Sequence, residues 1–248
     1  MKALIRSLLK QLGYRLESAS RHGWTPDYLA RICQAASIID VGAATGTPTL
    51  YAAFPEADLY LFDPLTDYQK ALEQLRKSRA NVNIYYQAVG AENGRTEIQV
   101  DLNRLERSSI YERSSLTRRN GKTERRTIEQ TTLDTFFAGH PAIRRPILLK
   151  IDTEGHELEV IRGAPKFLRH VDTVIAEVSV AKRFERSYRF EDLFFAMHEN
   201  DFVLVDILHI AYRAQAHVGA VFMDAVFRKR PSEPTADAPG QPSVLDRL

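Results

Sequence analysis

Ser37-Ile38-Ile39-Asp40-Val41-Gly42-Ala43-Ala44-Thr45-Gly46 is the stretch on which the fold turns. A short apolar run that enters a glycine-rich bend reads as a buried parallel strand about to meet a helix, because a strand covered on both faces carries continuous rather than alternating apolar residues. Outward from it, Pro48 to Ala53 reads as a helix and Leu59-Tyr60-Leu61-Phe62-Asp63 repeats the strand pattern. A helix near Asp67 to Ser78 precedes a strand at Asn83 to Gln87. Pro146 to Asp152 and Thr173 to Val178 read as two further core strands, and a helix near Phe190 to Glu199 leads to strands at Phe202 to Ile210 and Val221 to Phe227. This alternation predicts a doubly wound, mostly parallel α/β sheet whose last two strands form an antiparallel edge pair.

The flanks divide the chain into a helical segment over residues 1–34, a main domain over 35–230 and a flexible tail over 231–248. A chain of 248 residues with 44% apolar content has material for one elaborated domain rather than two. Lys2 to Leu16 reads as a basic amphipathic helix with Leu4, Ile5, Leu8, Leu9 and Leu12 at helical spacing. It suits packing on the domain or on a second subunit, or attachment to an anionic membrane surface. Thr25 and Pro26 read as the cap and first residue of a second helix. Thr96 to Val100 reads as a strand, whereas Arg104 to Arg126 is polar, arginine-rich and expected to be an inserted loop.

A formal charge of +2, from 34 basic and 32 acidic residues, argues against a global nucleic-acid-binding surface. The solitary Cys33 cannot form an intramolecular disulfide, and the N-terminus lacks a long uncharged apolar run, so a cytoplasmic protein without a transmembrane segment is expected.

The turn at Gly42 and the acidic side chain of Asp63, one βαβ step later, describe an adenosine-type pocket. Glycine lets the backbone approach a ligand, and a carboxylate accepts hydrogen bonds from both ribose hydroxyls. A dinucleotide fingerprint would require a second glycine at position 44 to admit a pyrophosphate, and Ala44 stands there. S-adenosylmethionine has no phosphate and suits this turn better than a nicotinamide dinucleotide does. Asp40 is a candidate for holding its ammonium, directly or through water.

The segment Lys150-Ile151-Asp152-Thr153-Glu154-Gly155-His156-Glu157, closed by Gly163-Ala164, resembles the signature of the FkbM-type methyltransferase family. Asp40-Val41-Gly42-Ala43, Asp63-Pro64, Ala88-Val89-Gly90 and Thr132-Leu133-Asp134 follow that family's order, so the resemblance spans about residues 38–178. It implies a seven-strand, Rossmann-like class I methyltransferase sheet and O-methylation of a sugar, polysaccharide or natural-product hydroxyl. It also implies contacts to S-adenosylmethionine from Asp40, Gly42, Ala43, Gly46, Asp63 and Ala88. Many family members carry Asn in place of Ala44 and Glu in place of Asp63.

Methyl transfer needs alignment and a proton acceptor. Asp152 and Glu154, at a central strand's carboxyl end, are the candidates to face the acceptor, and a neutral His156 could take its proton. A solvent-facing histidine in a first helical turn is the alternative. No metal is expected, Asp152, Glu154 and Glu177 being the only candidate ligands for a divalent cation. Glu157 and Glu159 read as charges favoring a helix start. The arginine-rich stretch, with Arg104, Arg107, Arg113, Arg118, Arg119, Lys122, Arg125 and Arg126, reads either as an exposed charged loop or as a lid recruiting an anionic acceptor, with Ser108 and Ser109 as contacts. A homo-oligomer is compatible with these features. The rivals are a non-catalytic scaffold that keeps the fold and a nicotinamide-dependent oxidoreductase.

Overall fold

The structure is a computed structural model that describes residues 2–12, 22–117, 121–140, 143–212 and 219–231. The expected tail from 232 onward, the end of the first helix beyond Leu12, and Arg118 and Arg119 lie outside the described residues. The chain runs α1 (Lys2–Gln11), α2 (Pro26–Ile32), β1 (Ser37–Val41), α3 (Pro48–Ala53), β2 (Asp58–Phe62), α4 (Gln69–Ser78), β3 (Val82–Tyr85), β4 (Ala88–Val89) and β5 (Gly94–Asp101). It continues through β6 (Thr123–Thr131), α5 (Leu133–Ala138), β7 (Ile147–Ile151), α6 (Glu157–Arg162), β8 (Thr173–Ser179), α7 (Phe190–Glu199), β9 (Phe202–Tyr212) and β10 (Ala220–Lys229).

Seven strands form one sheet in the order β3-β2-β1-β7-β8-β10-β9. The first five are parallel, and β10 runs antiparallel between β8 and β9, so the expected antiparallel pair is present. Strand order reverses between β1 and β7, the place where an open α/β sheet leaves a crevice beyond the strand ends. All five residues of β1 and all five of β7 are buried, which explains their largely apolar character, broken by Ser37, Asp40 and Lys150. Alternate β1 residues serve opposite faces. Ile39 joins a core with Leu149, Val160, Leu193 and Met197, while Ile38 joins one with Leu29, Leu50, Leu59 and Leu72.

The stretch Arg104 to Arg126 departs from the expected inserted loop. Its end belongs to β6, the center of a second sheet ordered β4-β6-β5. In β6 only Ile128 and Thr131 are buried, so this half-wet strand lacks the apolar signal that reveals β1. Among the described residues no helix is long and apolar enough to cross a membrane. Ile5, Leu8 and Leu12 of the first helical segment are 45%, 59% and 64% exposed, and Leu9 is half-buried. Thr25 caps α2 by accepting from the Tyr28 amide, as its sequence indicates.

The two sheets are locked where Gly163, after α6, meets Gly90, after β4. A Cβ on Gly163 would lie 2.0 Å from the Gly90 carbonyl oxygen, a backbone atom that cannot swing aside. Gly163→Ala is therefore expected to cost about 3 kcal/mol, lowering the melting temperature by roughly 6–12 °C, through overpacking. Gly139→Ala, where a Cβ would meet nothing within 4 Å, is the control and should melt close to the natural chain in the same calorimetric scan.

Candidate active site

Beneath the crevice lies a buried charge cluster. Asp40 is fully buried, and its carboxylate accepts from Thr47 Oγ1 at 2.8 Å, Tyr51 Oη at 2.6 Å and Lys150 Nζ at 3.1 Å. Lys150 also lies 3.5 Å from Asp152. Burial works against its charge, but the two carboxylates outweigh it and raise the ammonium pKa above its usual range. Asp40 thus organizes the turn from behind, with its oxygens already engaged, rather than facing a ligand directly.

Above this cluster opens a cavity of about 720 Å³. Its lining includes Gly42, Ala44, Asp63 and Tyr68, together with Ala88, Leu105, Ser108 and Ile110 and, from the loop after β7, Asp152, Glu154 and His156. Gly42 takes a φ of +79°, and a Cβ there would lie 1.8 Å from the Asp152 carbonyl oxygen, so no larger residue fits. Asp63 is 6% exposed; its two oxygens accept from the Ala44 and Leu65 amides at 2.8 and 2.9 Å. Burial raises its pKa to about 6, against the lowering effect of those amides. Ala44 holds a φ of +47° in the left-handed region, where asparagine is better tolerated than alanine.

Ala43 and Gly46 stand apart from this cavity. Both line an adjoining cleft with Trp24, Lys150, His209, Phe222 and Asp224, and the two hollows share Gly42, Ala44 and Asp152. In the cleft the Trp24 indole donates to Asp224 at 2.6 Å.

The loop after β7 shapes the cavity floor. Glu154 and Gly155 have φ values of +53° and +104°. Glu157 Oε1 accepts from the Thr153 amide, the Thr153 hydroxyl and the Gly155 amide at 3.0, 3.2 and 2.9 Å. Glu157 is fully buried, which corrects the expectation of a solvated helix-start charge; Glu159 does pair locally, with Arg162 at 2.6 Å. The Ser109 hydroxyl donates to the Glu154 carbonyl at 2.6 Å.

His156 is 7% exposed, which corrects the solvent-facing alternative, and neither ring nitrogen has a hydrogen-bond partner among the described residues. Burial lowers its pKa to about 4, so the imidazole is neutral at physiological pH. Glu154 receives Arg113 at 3.1 Å and Arg183 at 2.5 Å, and Arg183 also binds Glu177. The candidate metal carboxylates Glu154 and Glu177 are thus occupied by one guanidinium, and among the described residues no group of three His, Cys, Asp or Glu side chains is arranged to hold a metal ion. Asp152 remains 41% exposed.

The methyltransferase FkbM domain profile matches residues 40–204. This chain belongs to the FkbM methyltransferase family. Among solved structures it is similar to methyltransferase FkbM from Methylobacillus flagellatus KT, with 12% identity and a TM-score of 0.45, over 80% of this chain and 50% of that one. It therefore spans half the length of that relative. It is also similar to the 1,6-didemethyltoxoflavin-N1-methyltransferase of Burkholderia thailandensis, with 12% identity and a TM-score of 0.45, over 93% and 89% of the two chains. A third similar structure is the magnesium protoporphyrin IX methyltransferase of Synechocystis PCC 6803, with 9% identity and a TM-score of 0.44, over 92% and 97%. No curated protein matches the chain.

Within this member of the FkbM methyltransferase family, sequence reasoning overlooked Arg183 and the lining contributed by Gln87, Leu105 and Ile110. Arg183 sits in the connection after β8 and carries no local motif. Of the arginine-rich stretch, Arg113 reaches the site, whereas Arg126 turns to Asp67 at 2.5 Å and Arg125 lies near Glu97 and Glu112. Burial raises the pKa of Glu154 and Glu177, and Arg183 opposes the rise in both. Arg183→Met leaves two buried carboxylates with less compensation and should cost about 3–5 kcal/mol at pH 8. Since their folded pKa values then climb further above the unfolded ones, the deficit vanishes below the ordinary carboxylate range and grows as pH rises through the folded values. Urea denaturation at pH 8 and pH 5 checks this, with a smaller deficit expected at pH 5.

Proposed function

We propose that this protein transfers the methyl group of S-adenosylmethionine to a hydroxyl of a sugar, polysaccharide or other natural-product acceptor, with His156 as the proton acceptor. The observation that carries the reading is a buried, neutral imidazole with both nitrogens unpartnered, in the wall of a cavity floored by the family's signature loop. The residues present suit the donor. Gly42 leaves a cradle that a Cβ would fill, and each Asp63 oxygen, having accepted one amide, keeps a lone pair for a ribose hydroxyl. Ala88 lines the same cavity, and the exposed carboxylate of Asp152 is the acceptor available to an ammonium group, with Asp40 behind it.

The donor supplies a methyl group on a sulfonium, whose sulfur keeps the electron pair as a neutral thioether when the C–S bond breaks and the C–O bond forms. His156 takes the hydroxyl proton on a ring nitrogen. Glu154, clamped by Arg113 and Arg183, and Asp152 position the acceptor. Burial keeps the imidazole unprotonated and ready. The same reading assigns residues 35–230 to the catalytic domain and places the protein in the cytoplasm.

His156→Asn should lower kcat by about 10²–10⁴-fold while binding of S-adenosylhomocysteine, followed by calorimetry, changes little. An unchanged kcat would remove His156 from the chemistry. The pH profile separates the two titrating groups. Donor affinity should fall as pH drops through about 6, when Asp63 takes up a proton and loses acceptor capacity. At saturating donor, kcat should persist until His156 protonates near 4. Donor KM and kcat measured across pH 4.5–8 test this ordering.

A further inference from the structure

Glu154 walls a second hollow besides the main cavity. This one, of about 770 Å³, is lined by Arg104, Arg107, Arg113 and Arg183, with Tyr212 at its side. Four guanidinium groups face a single lining carboxylate there. Three of the four, Arg107, Arg113 and Arg183, are held in place. Arg183 is held by Glu154 and Glu177 and lies over the Phe184 and Phe222 rings at 5.1 and 4.6 Å. Arg113 donates to Glu154 at 3.1 Å and to the Arg107 carbonyl at 2.8 Å, and Arg107 donates to the Thr117 carbonyl at 3.0 Å. Arg104 is exposed and has no carboxylate within ion-pair distance among the described residues. Guanidinium groups fixed in advance lose little freedom on meeting a planar or tetrahedral oxyanion, which they bind through paired N–H donors.

We infer that this hollow receives the anionic group of the methyl acceptor, so that the substrate is a hydroxyl compound bearing a phosphate, sulfate or carboxylate. The inference rests on the methyl-transfer reading and narrows its substrate class. Because Glu154 lines both hollows, a molecule anchored among the arginines extends past that carboxylate into the cavity holding His156. Charge selects the acceptor at one end, and the neutral imidazole serves its hydroxyl at the other.

The test is calorimetric titration of the full chain at low ionic strength with inorganic pyrophosphate, sulfate and malonate in separate arms, each with and without S-adenosylhomocysteine. At least one anion should bind, and the strongest arm identifies the oxyanion class. Arg104→Glu should weaken that binding by about tenfold or more while leaving S-adenosylhomocysteine binding intact. Arg95→Glu, altering an exposed arginine paired with Glu129 on β5, should bind the anion like the natural chain. The inference is overturned if none of the three anions binds, or if Arg104→Glu and Arg95→Glu behave alike. If anions bind as expected but S-adenosylhomocysteine does not bind the natural chain, the methyl-transfer reading fails instead.

Discussion

The Lys150 ammonium, sealed between Asp40 and Asp152, is the contact on which the geometry of the crevice depends. Asp40 and Lys150 are direct register partners on β1 and β7, the parallel strands between which the strand order reverses. Neither charge tolerates burial without the other, so the pair fixes how the two strand tips stand. Asp40 also gathers Thr47 and Tyr51, which ties the start of α3 to the same point. One residue further along, Asp152 N donates to the Val41 carbonyl and the backbones close to a distance that only Gly42 permits. The cavity therefore inherits its shape from a charge cluster of which only Asp152 lines it.

Carboxylates in this region are chemically alike and are divided into roles by their surroundings. Asp40 and Glu157 are fully buried; both Asp40 oxygens and Oε1 of Glu157 accept from the protein's own donors. Glu154 and Glu177 are joined through Arg183. Asp63 keeps one face toward the cavity, and Asp152 is the most open of the set. In that company His156 is notable for having no polar partner at all among the described residues, which keeps it neutral and available.

The small sheet of β4, β6 and β5 adds lining to the crevice. Ala88 from β4, Ile98 from β5, and Leu105, Ser108 and Ile110 from the following connection line the cavity together with Gly42 and Asp63. The same connection carries Arg104, Arg107 and Arg113 to the neighboring hollow, while Ser109 donates to the Glu154 backbone. Wall, arginine set and signature loop thus form one continuous surface around Glu154.

Residues 37–63 disclosed their structure because strand, turn and helix follow from neighbors only a few positions apart, and the loop after Lys150 disclosed its family for the same reason. By itself the sequence determined the parallel α/β alternation, the strained glycine at 42, the acidic strand end at 63 and a signature loop ending one core strand. It could not place Arg183 against Glu154 and Glu177, pull Glu157 into the interior, or fold Thr123 to Thr131 into a second sheet. Those outcomes were decided by the tertiary structure alone, since burial and charge pairing arise between segments far apart in the chain, and a residue's chemistry depends on which of them it meets.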